Sequence, residues 1–272
     1  MCSNFWRRAV TVPAYDGYIF DLDGTIYLGD ILLPAAAEVL AALRAAGRRV
    51  AFLSNNPTKT RAQYVEKLQG FGIAAELAEV VNSSAVMVQW LREHAPGATV
   101  FVCGEAPLIG ELTAAGFQLS EEPGAIQFVI ASFDRTFTYH KLQVAFDAVR
   151  AGARLVATNP DRFCPVPGGG EPDAAAIIAA IEACTNTRCE VNVGKPSPIM
   201  ARTVSAMIDL PPERCLMVGD RLMTDIAMGV DAGMSTALVL TGDSKRADLA
   251  DSAVQPSYVI AGLGELIDYV KA

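Results

Sequence analysis

Histidine is almost missing from this 272-residue sequence, with only His94 and His140, and they are far apart. Cys184 and Cys189 have no second cysteine pair to join them, so no zinc-type ligand set can be assembled and packing is the better reading of both thiols. The remaining cysteines, Cys2, Cys103, Cys164 and Cys215, are scattered. That excludes a small disulfide framework and leaves reduced thiols as the expectation. No apolar run is long enough to cross a bilayer, and the arginines of MCSNFWRRAV are followed by no apolar h-region, so the expected compartment is the cytoplasm. Positive charge is also scarce. The 22 Lys and Arg face 30 Asp and Glu, a formal net charge of −8, which argues against an extended nucleic-acid surface or an anionic membrane and for a small partner. Internal repeats and low-complexity tracts are absent, and the GGG at 168–170 lacks the Lys-Ser/Thr of a phosphate-binding P-loop.

Apolar residues are abundant. At 51% of the chain they can bury a large core, and the length suits one or two domains. From Tyr18 onward, short apolar runs alternate with amphipathic segments, the pattern of parallel strands joined by helices. YIFDLD, RRVAFLSNN and AEVVNSS read as strands, with helices in LPAAAEVLAALRAAG and from about Thr58 to Phe71. The alternation resumes late in CEVNVG, RCLMVGD, STALVLTG and SYVIAG, with helices in SPIMARTVSAMI and DIAMGVDAG. Between these halves lies a stretch too long for a crossover and too patterned for a loop. It carries strand-like ATVFVCG, IQFVIAS and ARLVATN and helix-like EAPLIGELTAAG, YHKLQVAFDAVRAG and PDAAAIIAAIEACT. The expected fold is therefore α/β, a doubly wound Rossmann-like parallel sheet core (1–85 and 190–272) with an inserted α/β domain (86–189). VNSS (81–84) and HAPGA (94–98) are both credible first linkers. The first ~15 residues have weak pattern and read as a loose extension.

In open parallel sheets, ligands bind beyond the carboxyl ends of the strands. Four apolar runs end in polar residues: Asp21 with Asp23, Ser54 with Asn55, Lys195, and Asp220 with Asp225. Brought into one crevice, four carboxylates repel, and Lys195 alone cannot neutralise them. Buried unpaired charge costs several kcal/mol, so a divalent cation is required, and oxygen-only ligands suit Mg²⁺. Asp21 and Asp220 are the natural side-chain ligands, with Asp225 placed to hold Lys195 or a coordinated water. A bend at Gly24 lets Asp23 turn back toward Asp21. One acid can then attack phosphorus while the other trades protons with the leaving oxygen and with water. Ser54, the amide of Asn55 and the Lys195 ammonium can hold phosphoryl oxygens.

DLDGT (21–25), LSNN (53–56), GKPSP (194–198) and GDRLMTD (219–225) resemble, in order and spacing, the four motifs of the haloacid dehalogenase (HAD) superfamily. The long insertion between the second and third resembles the α/β cap of its NagD-like branch. The resemblance implies Mg²⁺-dependent phosphatase chemistry, with Asp21 as nucleophile and Asp23 as acid/base and backbone-carbonyl metal ligand. Ser54 and Lys195 are implied as phosphate ligands, Asp220 as metal ligand and Asp225 as its support. An acid at position 23 favours hydrolysis of a phosphomonoester over dehalogenase or phosphonatase chemistry.

What is attached to the phosphate is less legible. In that branch a cap loop following TN reaches the leaving group, which here points to ATNPDRFCPVPGGGEPDAAAI (157–177), with Asn159 and Asp161 as candidate contacts. Read without the resemblance, Asn159-Pro160-Asp161 is a turn after a strand, Asp173 starts a helix and the glycines form an ordinary loop. The leading expectation is hydrolysis of a sugar or polyol phosphate, with nucleoside monophosphates or pyridoxal phosphate behind. Phosphotransfer to an acceptor alcohol and a phosphometabolite-binding protein without turnover are the alternatives. Monomer and homodimer both stay open.

Overall fold

In a computed structural model of the chain, residues 14–166 and 168–267 are described. Most of the stretch read as a loose extension, with Cys2 and the arginine pair, lies outside them.

β1 (Gly17–Asp21) is buried at every position, as a strand covered on both faces should be. A turn through Gly24 leads to a short hairpin, β2 (Tyr27–Leu28) with β3 (Ile31–Leu32). α1 (Ala36–Ala45) buries Val39, Leu40 and Leu43 at helical spacing, and β4 (Arg49–Ser54) follows. α2 (Arg61–Gly70) opens with a capping box between Thr60 and Gln63. β5 (Val80–Asn82) runs straight into α3 (Ser83–His94), for which Asn82 is the N-cap. There follow β6 (Thr99–Cys103), α4 (Ala106–Ala114), β7 (Gln118–Leu119), β8 (Phe128–Ala131), α5 (Tyr139–Arg150) and β9 (Arg154–Ala157). A hairpin, β10 (Phe163–Val166) with β11 (Gly169–Pro172), precedes α6 (Ala174–Thr185) and β12 (Val191–Asn192). α7 (Pro198–Ile208) leads to β13 (Cys215–Gly219), a π-helical turn at Leu222–Ile226, α8 (Ala227–Asp231), β14 (Ser235–Val239) and β15 (Tyr258–Ile260).

By internal contacts the chain divides into two compact units, Met1–Val50 with Leu210–Ala272, and Ala51–Asp209. In the first, β15, β14, β13 and β1 lie side by side and all parallel. Ile19, Phe20, Leu216, Met217 and Val218 are wholly buried there. At the foot of β1, Asp16 accepts hydrogen bonds from Arg214 (2.6 Å) and Arg48 (3.1 Å). The Arg214 bond is the main cause that holds its carboxyl below the usual range.

In the second unit β4 and β5 pair in parallel, and a separate parallel sheet has the order β12-β9-β8-β6-β7. Helices α5 and α6 pack on it through Ala145, Ala148, Ile177 and Ile181, against Phe101, Val129 and Leu155. Burial pushes the Cys103 thiol of this core up to about 12, as expected of a packing residue and not a nucleophile. Among the described residues, no helix is long and apolar enough to cross a membrane.

Two local differences from the sequence reading stand out. The stretch read as an ordinary loop after Asp161 contains the β10–β11 hairpin, paired from Phe163↔Pro172 to Val166↔Gly169. Its residues are exposed or half-buried throughout. No apolar alternation marks it, and Pro165 and Pro172 are tolerated because each strand has only one neighbour. The helix expected over DIAMGVDAG begins earlier, in the π turn at Leu222–Ile226.

Candidate active site

Parallel pairing sets the first group of side chains. The register Gly17↔Cys215 through Phe20↔Val218 brings the carboxyl ends of β1 and β13 level, so Asp21 and Asp220 emerge at the same edge. Asp225 joins them from the π turn, where the amides of Asp225 and Ile226 both donate to the Arg221 carbonyl (3.1 and 3.2 Å). π-helical turns recur at functional sites because the wider turn re-aims one side chain. One carboxylate oxygen from each of Asp21, Asp220 and Asp225 lies within 4.8 Å of the others, and all three residues are buried.

Three buried carboxylates in so small a space need a counter-charge. An all-oxygen, anionic donor set fits a hard divalent cation such as Mg²⁺ and does not suit a soft one. The packing around Asp220 serves that purpose. A Cβ on Gly24 (φ +87°) would sit 2.5 Å from Asp220 Oδ2, and one on Gly242 would sit 2.5 Å from Asp220 Cγ. Glycine at both places lets backbone enclose the carboxylate. Asp220 Oδ2 also accepts from the Asp243 amide at 2.6 Å, and Asp225 Oδ2 from the Arg221 amide at 3.0 Å. Thr241 Oγ1 donates to the Gly24 carbonyl at 2.6 Å, fixing the bend after Asp23. Asp23 itself is half-buried and bridges to Tyr27.

In the second unit, Ser54 and Lys195 are almost fully buried. Ser54, the last residue of β4, donates through Oγ to Tyr64 Oη (3.1 Å) and accepts from the Asn56 amide (3.1 Å). Lys195 occupies the turn from β12 to α7, before a cis Lys195–Pro196 peptide. Ser197 caps α7, and its amide donates to the Gly194 carbonyl at 2.8 Å. The side chain of Asn55 grips this turn from 140 residues away. Its Oδ1 accepts from the Lys195 amide at 2.7 Å, and its Nδ2 donates to the Lys195 carbonyl at 3.1 Å. Ser83 Oγ in turn donates to the Asn55 carbonyl at 2.6 Å. A side chain on Gly194 would collide with the Thr158 carbonyl and stand 2.8 Å from Asn55 Oδ1.

Asn159 and Asp161, named from the sequence as contacts to the leaving group, follow β9 in the same unit. Asn159 is wholly buried. Its Nδ2 donates to Asp161 Oδ2 (3.0 Å) and Asp173 Oδ1 (2.9 Å), and its Oδ1 accepts from Thr158 Oγ1 (2.8 Å). Asp161 Oδ2 also accepts from Asn55 Nδ2 at 2.8 Å. Sequence reasoning missed Asp173 as anything beyond a helix start, and missed Thr241 to Asp243 altogether. The latter could have been found, because TGD directly follows the apolar run of β14, a strand end like the four that were singled out.

A family model described as haloacid dehalogenase-like hydrolase matches residues 18–118, and a second, for HAD-like hydrolases, matches residues 192–266. The chain is 38% identical over 250 residues to the sugar-phosphatase AraL of Bacillus subtilis, covering 92% of this chain and 91% of that protein. Among solved structures, a 4-nitrophenylphosphatase from Thermotoga maritima superposes with a TM-score of 0.90 at 37% identity, covering 94% of this chain and 97% of the other. NagD from E. coli gives a TM-score of 0.84 at 30% identity, covering 93% and 98%. These likenesses agree with the parallel sheets described above in giving the chain an α/β fold, with a doubly wound Rossmann-like core and an inserted cap domain.

Proposed function

Since the chain belongs to the haloacid dehalogenase-like hydrolases of the NagD-like branch, we propose that it is a Mg²⁺-dependent phosphatase that hydrolyses a sugar or polyol phosphate through an aspartyl phosphate. The observation that carries the reading is the buried triad of Asp21, Asp220 and Asp225, whose oxygens are drawn within 4.8 Å of one another. A group of acids so placed is costly in a purely structural role and useful in phosphoryl transfer. The names of two relatives, a sugar-phosphatase and a 4-nitrophenylphosphatase, support the substrate class.

In this reading Asp21 attacks phosphorus, and the bond from phosphorus to the ester oxygen breaks. Asp23 gives its proton to that leaving oxygen. It then takes a proton from water as the water attacks the aspartyl phosphate, which frees Asp21 and inorganic phosphate. Ser54 Oγ, its hydrogen turning from Tyr64 Oη to the substrate, the backbone N–H of Asn55 and the Lys195 ammonium hold the phosphoryl oxygens as charge grows on them. Mg²⁺, held by Asp21, Asp220 and the Asp23 carbonyl with Asp225 in support, would offset the negative charge of the acids and the phosphate. We assign the inserted segment, 86–189, the role of a cap that selects the leaving group.

The test is a panel of phosphorylated metabolites incubated with the purified protein in Mg²⁺ and in EDTA. Phosphate release from sugar or polyol phosphates in Mg²⁺ and not in EDTA is the expected result. Failure to release phosphate from any ester in Mg²⁺ refutes the proposal.

A further inference from the structure

We propose that Asn159, Asp161 and Asp173 are positioning residues that act on the reaction through Asn55 and Lys195, and that they do not touch the leaving group. This rests on the phosphatase reading above, in which Lys195 holds a phosphoryl oxygen.

The side chains form one unbroken hydrogen-bonded relay. Asp173, the N-cap of α6, accepts from its own helix at Ala174 N and from Asn159 Nδ2. Asn159 passes the connection to Asp161, and Asp161 Oδ2 accepts from Asn55 Nδ2. Asn55 closes on both backbone groups of Lys195. Chemistry fixes every amide orientation. Asn159 must point its NH₂ at the two carboxylates, because its oxygen would be repelled there, and its Oδ1 is left to the Thr158 hydroxyl. Asn55 must point its NH₂ at the Asp161 carboxylate and the Lys195 carbonyl, leaving Oδ1 for the Lys195 amide.

Each link is therefore specified in direction, and an error at one end is transmitted to the other. Asn159 is also wholly buried and both of its amide hydrogens are spent inside the protein, which leaves little with which to recognise a sugar. Gly194 supports the same reading. Its missing side chain is what allows Thr158 and Asn159 to press against the turn that carries Lys195. A shift of about 1 Å in a group that holds a reacting phosphoryl can lower the rate on the order of 10²-fold.

The two roles separate cleanly in kinetics. A residue that contacts the leaving group affects esters according to that group and leaves the binding of inorganic phosphate alone. A residue that sets Lys195 affects every ester alike and weakens phosphate as an inhibitor. The experiment compares wild type with Asp161→Ala, and with Asn159→Ser as a second disruption should the first not fold. It measures kcat/KM for a sugar phosphate, glycerol phosphate and p-nitrophenyl phosphate, and the Ki of inorganic phosphate, all in Mg²⁺.

The expected result is a loss of about 10- to 10²-fold that is the same, within about threefold, for all three esters. The phosphate Ki should rise in parallel, and Asp161→Asn, which keeps an acceptor oxygen toward Asn55, should recover most of the loss. A loss confined to the sugar phosphate, or an unchanged phosphate Ki, overturns the proposal. Absence of turnover by the wild type would instead strike at the phosphatase reading, since the relay is judged only on ratios of variant to wild type.

Discussion

Replacing Gly242 by alanine probes the acid cluster without altering an acid. The new methyl would collide with Asp220 Oδ2 and stand 2.5 Å from Asp220 Cγ, whereas ordinary contact begins at 3.4 Å, so something must yield by at least about 1 Å. If the backbone at Gly242 withdraws, the Asp243 amide leaves Asp220 Oδ2, and a hydrogen bond to a charged acceptor contributes about 1.5–3 kcal/mol. If Asp220 withdraws, its oxygen leaves the position it shares with Asp21 and Asp225. Overpacking of this kind costs about 1–3 kcal/mol in stability, which a folded domain of this size can absorb. A ligand displaced by about 1 Å is expected to lower kcat/KM on the order of 10²-fold. The assay is turnover across a Mg²⁺ titration, with denaturant unfolding in parallel. The Mg²⁺ concentration for half-maximal activity should rise well before the fold is compromised. A folded variant with wild-type Mg²⁺ dependence and kcat within twofold of normal would refute the assignment of Asp220 as a metal ligand.

Asp21→Asn should abolish turnover with a melting temperature no lower than that of wild type, and normal activity in this variant would rule out covalent catalysis by Asp21. Gly110→Ala, in the exposed interior of α4 with nothing within 4 Å of the added carbon, should stabilise the protein by about 0.5–1 kcal/mol, read as a shift in denaturant midpoint. Burial raises the thiols of Cys103 and Cys215 from 9.0 to about 12 and about 11. These groups therefore favour the folded state fully below pH 9, and that contribution is lost as pH rises from 9 toward 11–12. Thiol labelling of the native protein near pH 8 should reach exposed Cys184 well before Cys103 or Cys215, and equal rates would show that the core opens easily.

The legibility of the fold followed burial. β1, β13 and β8 lie in two-sided cores, so their sequences, GYIFD, CLMVG and FVIA, are continuous apolar runs that nothing else explains. The β10–β11 hairpin has no buried residue among those described and its residues obey no period, so it left no trace. Within the first unit, Asp21 and Asp220 were legible because each ends an apolar strand and the parallel pairing of β1 with β13 brings those ends to one edge. Asp173 was not, since a helix cap and a relay member have the same residue type and the same local pattern. Only the approach of Asn159, 14 residues earlier in the chain, separates the two.

If the inserted segment selects the leaving group as proposed, the fastening of the β10–β11 hairpin separates substrate choice from catalysis. Asp161 and Asp173 flank the hairpin on either side, and the single amide of Asn159 ties both carboxylates together. Backbone hydrogen bonds from Asp173 to Arg162 and from Ala175 to Asp161 reinforce the clasp. On the proposed reading the residues between them are a cassette with a locked base: exchanging, lengthening or recolouring them should leave Lys195 at its station.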